Sequence, residues 1–217
     1  TANQQISMSQ PFAGKSLLRT TGAGRLIAVT DLTFNNTQVS LNNDTLQFTT
    51  GTGITMNGGY LNPGVLFKTS QPAIKLTGSN GFYFYNLSVD APQTETYGTI
   101  SVYGSTNNFK TLLVNYGTLQ NRGISSYSLV VNGGITNEGT IQNYVYDFSI
   151  SLSGDLTNNG IWKNRTTTLT GNSAHTFSFS ERFEGETFVN SNAAGAINAI
   201  TDLFFDGTGI DLNNGAI

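Results

Sequence analysis

One nine-residue phrase is written three times between Leu113 and Asn164, and it constrains the fold more than any other feature of the chain. Leu-Val-Asn-Tyr-Gly-Thr-Leu-Gln-Asn (113–121) is followed by Ile-Thr-Asn-Glu-Gly-Thr-Ile-Gln-Asn (135–143) and Leu-Thr-Asn-Asn-Gly-Ile-Trp-Lys-Asn (156–164). The glycines Gly117, Gly139 and Gly160 stand 22 (139 − 117) and 21 (160 − 139) residues apart. A period of this size, built from Asn, Gly, Thr and aliphatic residues, predicts an all-β parallel β-helix, a β-solenoid, with coils of about 20–22 residues. No segment has sustained helical periodicity, so almost no α-helix is expected.

Alternate residues of a strand point to opposite faces, so a residue type that recurs once per coil forms a column. Leu113, Ile135 and Leu156 make one apolar column, and Leu119, Ile141 and Trp162 make another. Trp162 is therefore read as core, not as a platform for a sugar ring. Asn115, Asn137 and Asn158 beside the glycines, and Asn121, Asn143 and Asn164 at the end of each copy, are read as structural ladders. Asn and Gly tolerate left-handed backbone at a corner, and amides in register can bond from coil to coil. A second series, Val131-Asn132-Gly133, Leu152-Ser153-Gly154 and Leu169-Thr170-Gly171, lies between the first, with Leu76-Thr77-Gly78 and Val102-Tyr103-Gly104 as earlier members. Tyr97-Gly98-Thr99-Ile100 fits the first ladder, with Thr96 where Asn is expected.

A longer repeat overlies the short one. Fifteen residues of the opening recur 171 positions later without a gap, among them Phe12 as Phe183, Ala28 as Ala199, Phe34 as Phe205 and Thr37 as Thr208. Chance at these compositions gives roughly three. Residues 1–171 are read as one solenoid repeat unit and 172–217 as the start of a second copy continuing the same solenoid. A unit of that length holds roughly eight coils, about 40 Å at the strand spacing. Thr1 stands at the start without initiator Met or leader, and the chain stops inside a repeat, so a processed or excised piece of a longer array is expected. Elsewhere, residues 51–64 read as turns around short strands, and Tyr83 and Tyr85 alternate with Phe82 and Phe84.

Charged residues are only 11% of the 217, and the net charge is −3. That is under half of the usual charged fraction of about 25%. Nothing points to nucleic acid or an anionic membrane, and no apolar run approaches the roughly 20 residues of a membrane helix. There is no cysteine, which excludes disulfides and thiolate metal sites.

The phrases Leu-Thr-Asn-Asn-Gly (156–160), Ile-Thr-Asn-Glu-Gly-Thr-Ile (135–141) and Phe-Tyr-Asn-Leu-Ser-Val (84–89) resemble the repeat arrays of large secreted bacterial surface proteins. These are the adhesin-like and haemagglutinin-like β-solenoids common in Bacteroidetes-type organisms. The resemblance implies a right-handed parallel β-helix, export and a role at the cell surface, and it transfers no catalytic residue.

Candidates for chemistry are few. Glu184 and Glu186 share a strand face in principle, as a retaining glycosidase's carboxyls would. Their counterparts in the first copy are Ala13 and Lys15, so a solvated charged edge is the favoured reading. Asp206-Gly207-Thr208-Gly209-Ile210-Asp211 is similar to a calcium-binding nonapeptide, but Asn213 breaks the pattern. His175, the single histidine, matches Gln4 and is read as a polar turn residue. No catalytic residue, metal or cofactor is assigned. The expected function is a non-catalytic, extracellular structural module of a bacterial fibre, stalk or adhesin that meets copies of itself or adjacent repeats end to end. The alternative is a carbohydrate-binding adhesin domain that uses a tyrosine-lined face of Tyr97, Tyr116, Tyr144 and Tyr146.

Overall fold

The structure, a computed structural model, describes residues 3–18, 25–41, 45–62, 66–69, 71–79, 83–104, 107–191 and 195–213. Gly22-Ala23-Gly24, Asn42-Asn43, Pro63-Gly64 and Phe82 lie outside them. Among the described residues there are strands, turns and bends and no helix. All the strand pairs are parallel, and they form an 11-stranded and a 14-stranded sheet that climb one stack.

The larger sheet is creased into two arms, so each coil has three sides. The long strands Leu32–Ser40, Gly53–Asn62 and Gln93–Tyr103 run along both arms. They turn the corner at residues with positive φ: Asn36 (50°), Gly58 and Gly59 (80° and 86°) and Gly98 (62°). Residues 53–62 therefore form one bent strand and not short strands between turns, because a left-handed residue redirects the chain while pairing continues on both sides. We call the 11-stranded sheet face 1, the arm holding Leu113–Asn115 face 2, and the arm holding Thr118–Asn121 face 3.

Coil length varies with corner length. Along face 1 the register steps range from 17 (Ser149 to Thr166) to 22 (Gln4 to Leu26) residues. Inward columns fill the interior. On face 1, Leu46, Phe67, Val89, Phe109, Val131, Leu152 and Leu169 stack in register and are all buried. On face 3, Ile100, Leu119, Ile141 and Trp162 do the same, and Phe183 and Phe205 extend the column. Trp162 is fully buried, and its Nε1 donates to Asn164 Oδ1 and Thr167 Oγ1, both at 3.0 Å.

Leu76-Thr77-Gly78 and Val102-Tyr103-Gly104 do not belong with Val131-Asn132-Gly133. Leu76 sits on face 2 opposite Thr96, Val102 sits on face 3 opposite Asn121, and the residue before Val131 in its column is Phe109. The three-residue phrase marks the end of a strand, and every face has strand ends.

The 171-residue repeat is reproduced bond by bond. Gln4↔Leu26 and Ser16↔Gln38 recur as His175↔Ile197 and Thr187↔Gly209, and the bridge Phe12↔Phe34 recurs as Phe183↔Phe205. The bonds Met8 N to Thr30 Oγ1 and Phe179 N to Thr201 Oγ1 are both 2.8 Å. Yet the faces have moved. Gln4–Ile6 belongs to face 1 and His175–Phe179 to face 2; Ser16–Leu18 belongs to face 3 and Thr187–Asn190 to face 1. One repeat spans eight steps along face 1 and one further side, so each equivalent residue is carried a third of a turn around the stack.

The buried indole supplies a direct check. Trp162 is the chain's single tryptophan, so native emission is expected to be that of an apolar, quencher-protected indole. A shift to solvent-exposed emission should accompany loss of the β-sheet circular dichroism.

Candidate functional site

The polar residues of the triple phrase form a ladder inside the stack. Asn115, Asn137 and Asn158 are paired in register on face 2 and are fully buried. Asn115 Nδ2 donates to Asn137 Oδ1 at 2.8 Å, and Asn137 Nδ2 donates to Asn158 Oδ1 at 2.9 Å. Each amide also donates to the main chain of the next coil, at Thr140 O (3.1 Å) and Ile161 O (3.0 Å). The ladder is closed at both ends. Thr96 Oγ1 donates to Asn115 Oδ1 at 2.9 Å, so the threonine in the asparagine position completes the series. Asn158 Nδ2 reaches the Arg182 carbonyl at 3.2 Å. In the same column, Leu32, Ile54 and Leu76 precede Thr96, and Phe179 follows Asn158.

Gly117, Gly139 and Gly160 line the adjoining corner without positive φ, so left-handed backbone is not the reason for them. The reason is close approach. A Cβ on Gly117 would collide with the Gly98 carbonyl oxygen, one on Gly139 with that of Gly117, and one on Gly160 with that of Gly139. The carbonyls of Gly117 and Gly139 also accept from Thr140 N (2.7 Å) and Ile161 N (2.8 Å) of the following coil.

Asn121, Asn143 and Asn164 do not bond amide to amide as the second ladder expected of them; each closes its own turn, and Asn121 alone also reaches the next coil, its Nδ2 donating to Asp147 O at 2.8 Å. Asn121 accepts from Gly123 N at 2.7 Å and donates to Ser125 O at 2.9 Å. Asn143 accepts from Phe148 N at 2.7 Å, and Asn164 holds the Trp162 indole. The chain after the three residues differs in length and path, so their amides close different turns.

The tyrosines divide into two groups. Tyr97 and Tyr116 stack with centroids 5.1 Å apart and planes at 18°, and Tyr116 remains 48% exposed. Tyr144 and Tyr146 lie in the bend between Gln142 and Phe148, not on a strand, and are exposed with Val145 and the neighbouring coil's Ile124. A further row was missed in the sequence: Tyr60 stacks on Tyr83 (5.5 Å), Tyr83 meets Tyr103 (5.1 Å), and Tyr103 meets Tyr127 (5.8 Å). Its spacings of 23, 20 and 24 residues are near the coil period and are the signal that would have found it. Each ring of the Tyr97–Tyr116 pair covers one face of the other, which leaves Tyr116 half exposed beside its neighbour.

The acidic candidates are held in ion pairs between coils. Glu184 pairs with Lys163 at 3.1 Å, Glu186 with Arg165, and Asp206 with Arg182 at 3.0 Å. Asp90 bridges Lys68 (3.0 Å) and Lys110 (3.3 Å), and the Lys68 hydrogen bond holds its carboxyl below the usual range. Asp211 stays exposed, and its Oδ1 accepts from Asn213 N of its own loop at 2.9 Å. No group of three acidic or histidine ligands occurs among the described residues. His175 is a strand residue, 1% exposed, with Nε2 3.3 Å from Gly171 O, and not a polar turn. It borders a polar hollow of about 400 Å³ with Thr136, Asp155 and Thr157. There, Asp155 Oδ1 accepts from Thr176 N at 2.8 Å.

No family model, no curated protein and no solved structure matches the chain.

Two outcomes follow from this geometry. Asn137→Ala is expected to cost about 2–3 kcal/mol, because it leaves the buried Asn158 Oδ1 and Gly139 N without their partner; thermal unfolding against wild type measures it. Burial, aided by the 2.7 Å bond to Glu95, pushes the Tyr97 hydroxyl up to about 12. The unfolded value is about 10, so this stabilisation is complete below about pH 10 and is lost as pH rises toward 12. In a tyrosinate absorbance titration Tyr97 should ionise late, and Tyr97→Phe should remove that late step.

Proposed function

We propose that the protein is a structural module, a stiff β-solenoid segment of a bacterial surface fibre, stalk or adhesin that spans distance and meets copies of itself end to end. The observation that carries this reading is the use made of the polar residues. The buried amides bond to the next coil, the corner glycines admit the next coil, and the exposed acids pair with cations of the coil beside them. Side chains that an enzyme would aim at a substrate are here spent on stacking, which supports a non-catalytic role. A surface of Asn, Thr, Ser and Gly with few charges supports an extracellular setting.

A second reading, glycan binding, draws on the exposed patch of Ile124, Tyr144, Val145 and Tyr146, whose bends lie on successive coils next to the pair Tyr127↔Phe148. Exposed aromatic rings on such bends can stack on sugar rings.

Electron microscopy over a range of concentrations tests the first reading. Rods that lengthen into filaments in steps of roughly 50 Å, the length of an eleven-strand stack, are expected. Isolated short rods at every concentration would remove end-to-end assembly. The glycan reading would then be tested on an array with Tyr144→Ala/Tyr146→Ala as control.

A further inference from the structure

Two bends project from the middle of the stack, at the corner where the chain leaves face 3 for face 1. Five residues separate Asn121 from Tyr127, and five separate Gln142 from Phe148. Three separate Tyr103 from Asn107 on the preceding coil, and two separate Lys163 from Thr166 on the following one. Two residues thus suffice to turn this corner, and the added length of the two bends stands outside the sheets. It is spent on apolar side chains: Ile124 is 71% exposed and Val145 67%, with Tyr144 and Tyr146 exposed beside it. Tyr127 pairs with Phe148, so the bends lie on neighbouring coils, one above the other. Exposed apolar clusters of this kind mark contacts with another molecule.

Charge changes sign at the same level of the stack. From Lys68 to Arg122 the chain carries four Lys and Arg against two Asp and Glu, and from Glu138 to Asp211 it carries three against nine. The coils leading up to the bends are therefore net positive and those beyond them net negative. The bends repeat this difference on a smaller scale. Arg122 opens the first, and Asp147 closes the second.

We propose that the two bends are the contact between two copies of this chain that lie side by side and antiparallel, related by a two-fold axis passing between the coils of Tyr127 and Phe148. A surface that meets itself across a two-fold axis has to be complementary to itself. This one is: the bends are apolar on both coils, so apolar meets apolar, and the axis sets the positive coils of each copy beside the negative coils of the other. It also brings Arg122 of each copy level with Asp147 of its partner. A parallel pair sets like charge against like along the whole rod, so charge selects the antiparallel direction. The contact lies on the side of the stack and is independent of end-to-end assembly.

Sedimentation velocity over a concentration series measures the pairing. The double variant Ile124→Ser/Val145→Ser touches no sheet bond and is expected to weaken it about tenfold or more. Unchanged Trp162 emission shows that the variant is folded, and any lengthening of rods end to end persists in it, so the two assemblies are told apart. The absence of native cysteine lets single spin labels report the direction. Ser88, Asn108 and Val130 form one outward column on three successive coils of face 1. In single-cysteine variants at these positions, the distance between the two labels of an antiparallel pair increases from Val130→Cys to Asn108→Cys to Ser88→Cys. Each coil adds two strand spacings, about 10 Å along the rod. Equal distances at all three positions would overturn the antiparallel arrangement. Monomers at every concentration would overturn the contact and leave the bends to the glycan reading. Pairing that the double variant leaves intact would place the contact elsewhere and overturn the proposal as well.

Discussion

The structure depends on how closely one coil approaches the next at the corner between faces 2 and 3. Parallel strands can stack indefinitely, but only if each coil presents its backbone to its neighbours without obstruction. Gly98, Gly117, Gly139 and Gly160 provide that clearance, each lying where a Cβ would meet the carbonyl of the preceding coil. The asparagine ladder runs beside this corner, and the two features need each other. The amides bond in series only because the coils are near, and the coils remain in register because a slipped strand would place buried amides against apolar neighbours.

From this corner outward the same column changes chemistry while keeping its geometry. Leu32, Ile54 and Leu76 are aliphatic, Thr96 supplies a hydroxyl, Asn115, Asn137 and Asn158 are amides, and Phe179 returns the column to hydrocarbon. At the two ends of the amide run a hydrogen bond closes the series, from Thr96 Oγ1 to Asn115 Oδ1 and from Asn158 Nδ2 to the Arg182 carbonyl. The surface follows a similar rule. Lys68, Asp90 and Lys110 alternate in sign on three successive coils, and Lys163 and Arg165 face Glu184 and Glu186 on the next. Exposed pairs of this kind add about 0–1 kcal/mol each, and their value lies in penalising a shifted register.

Much of this was legible in the sequence because a solenoid repeats its contacts as its residues repeat. The spacing of Leu113, Ile135 and Leu156 gave the column, the placement of Trp162 against Ile141 gave its burial, and Asn115, Asn137 and Asn158 gave the ladder. What the spacing did not carry was the identity of the face. Leu76-Thr77-Gly78 looks like Val131-Asn132-Gly133, yet the two end strands on different sides, since a short phrase records a strand end and not its direction. Burial at equivalent positions was equally hidden. His175 is enclosed where Gln4 is exposed, because one strand lies between two others and the other is terminal in its sheet. The closing asparagines failed for a local reason, since the chain leaving each one takes a different path.

The column that passes from leucine through asparagine to phenylalanine also bears on how such a rod answers to force. Coils of a solenoid contact only their neighbours, so tension along the axis is resisted one interface at a time. Interfaces stapled by buried amides are short-ranged and stiff, whereas those packed by Phe179, Phe183 and Phe205 rest on broad apolar contact that yields over a longer distance. Parting the middle coils would break side-chain amide bonds as well as the main-chain ladder, whereas toward the aromatic end the main-chain bonds go with apolar ring contacts.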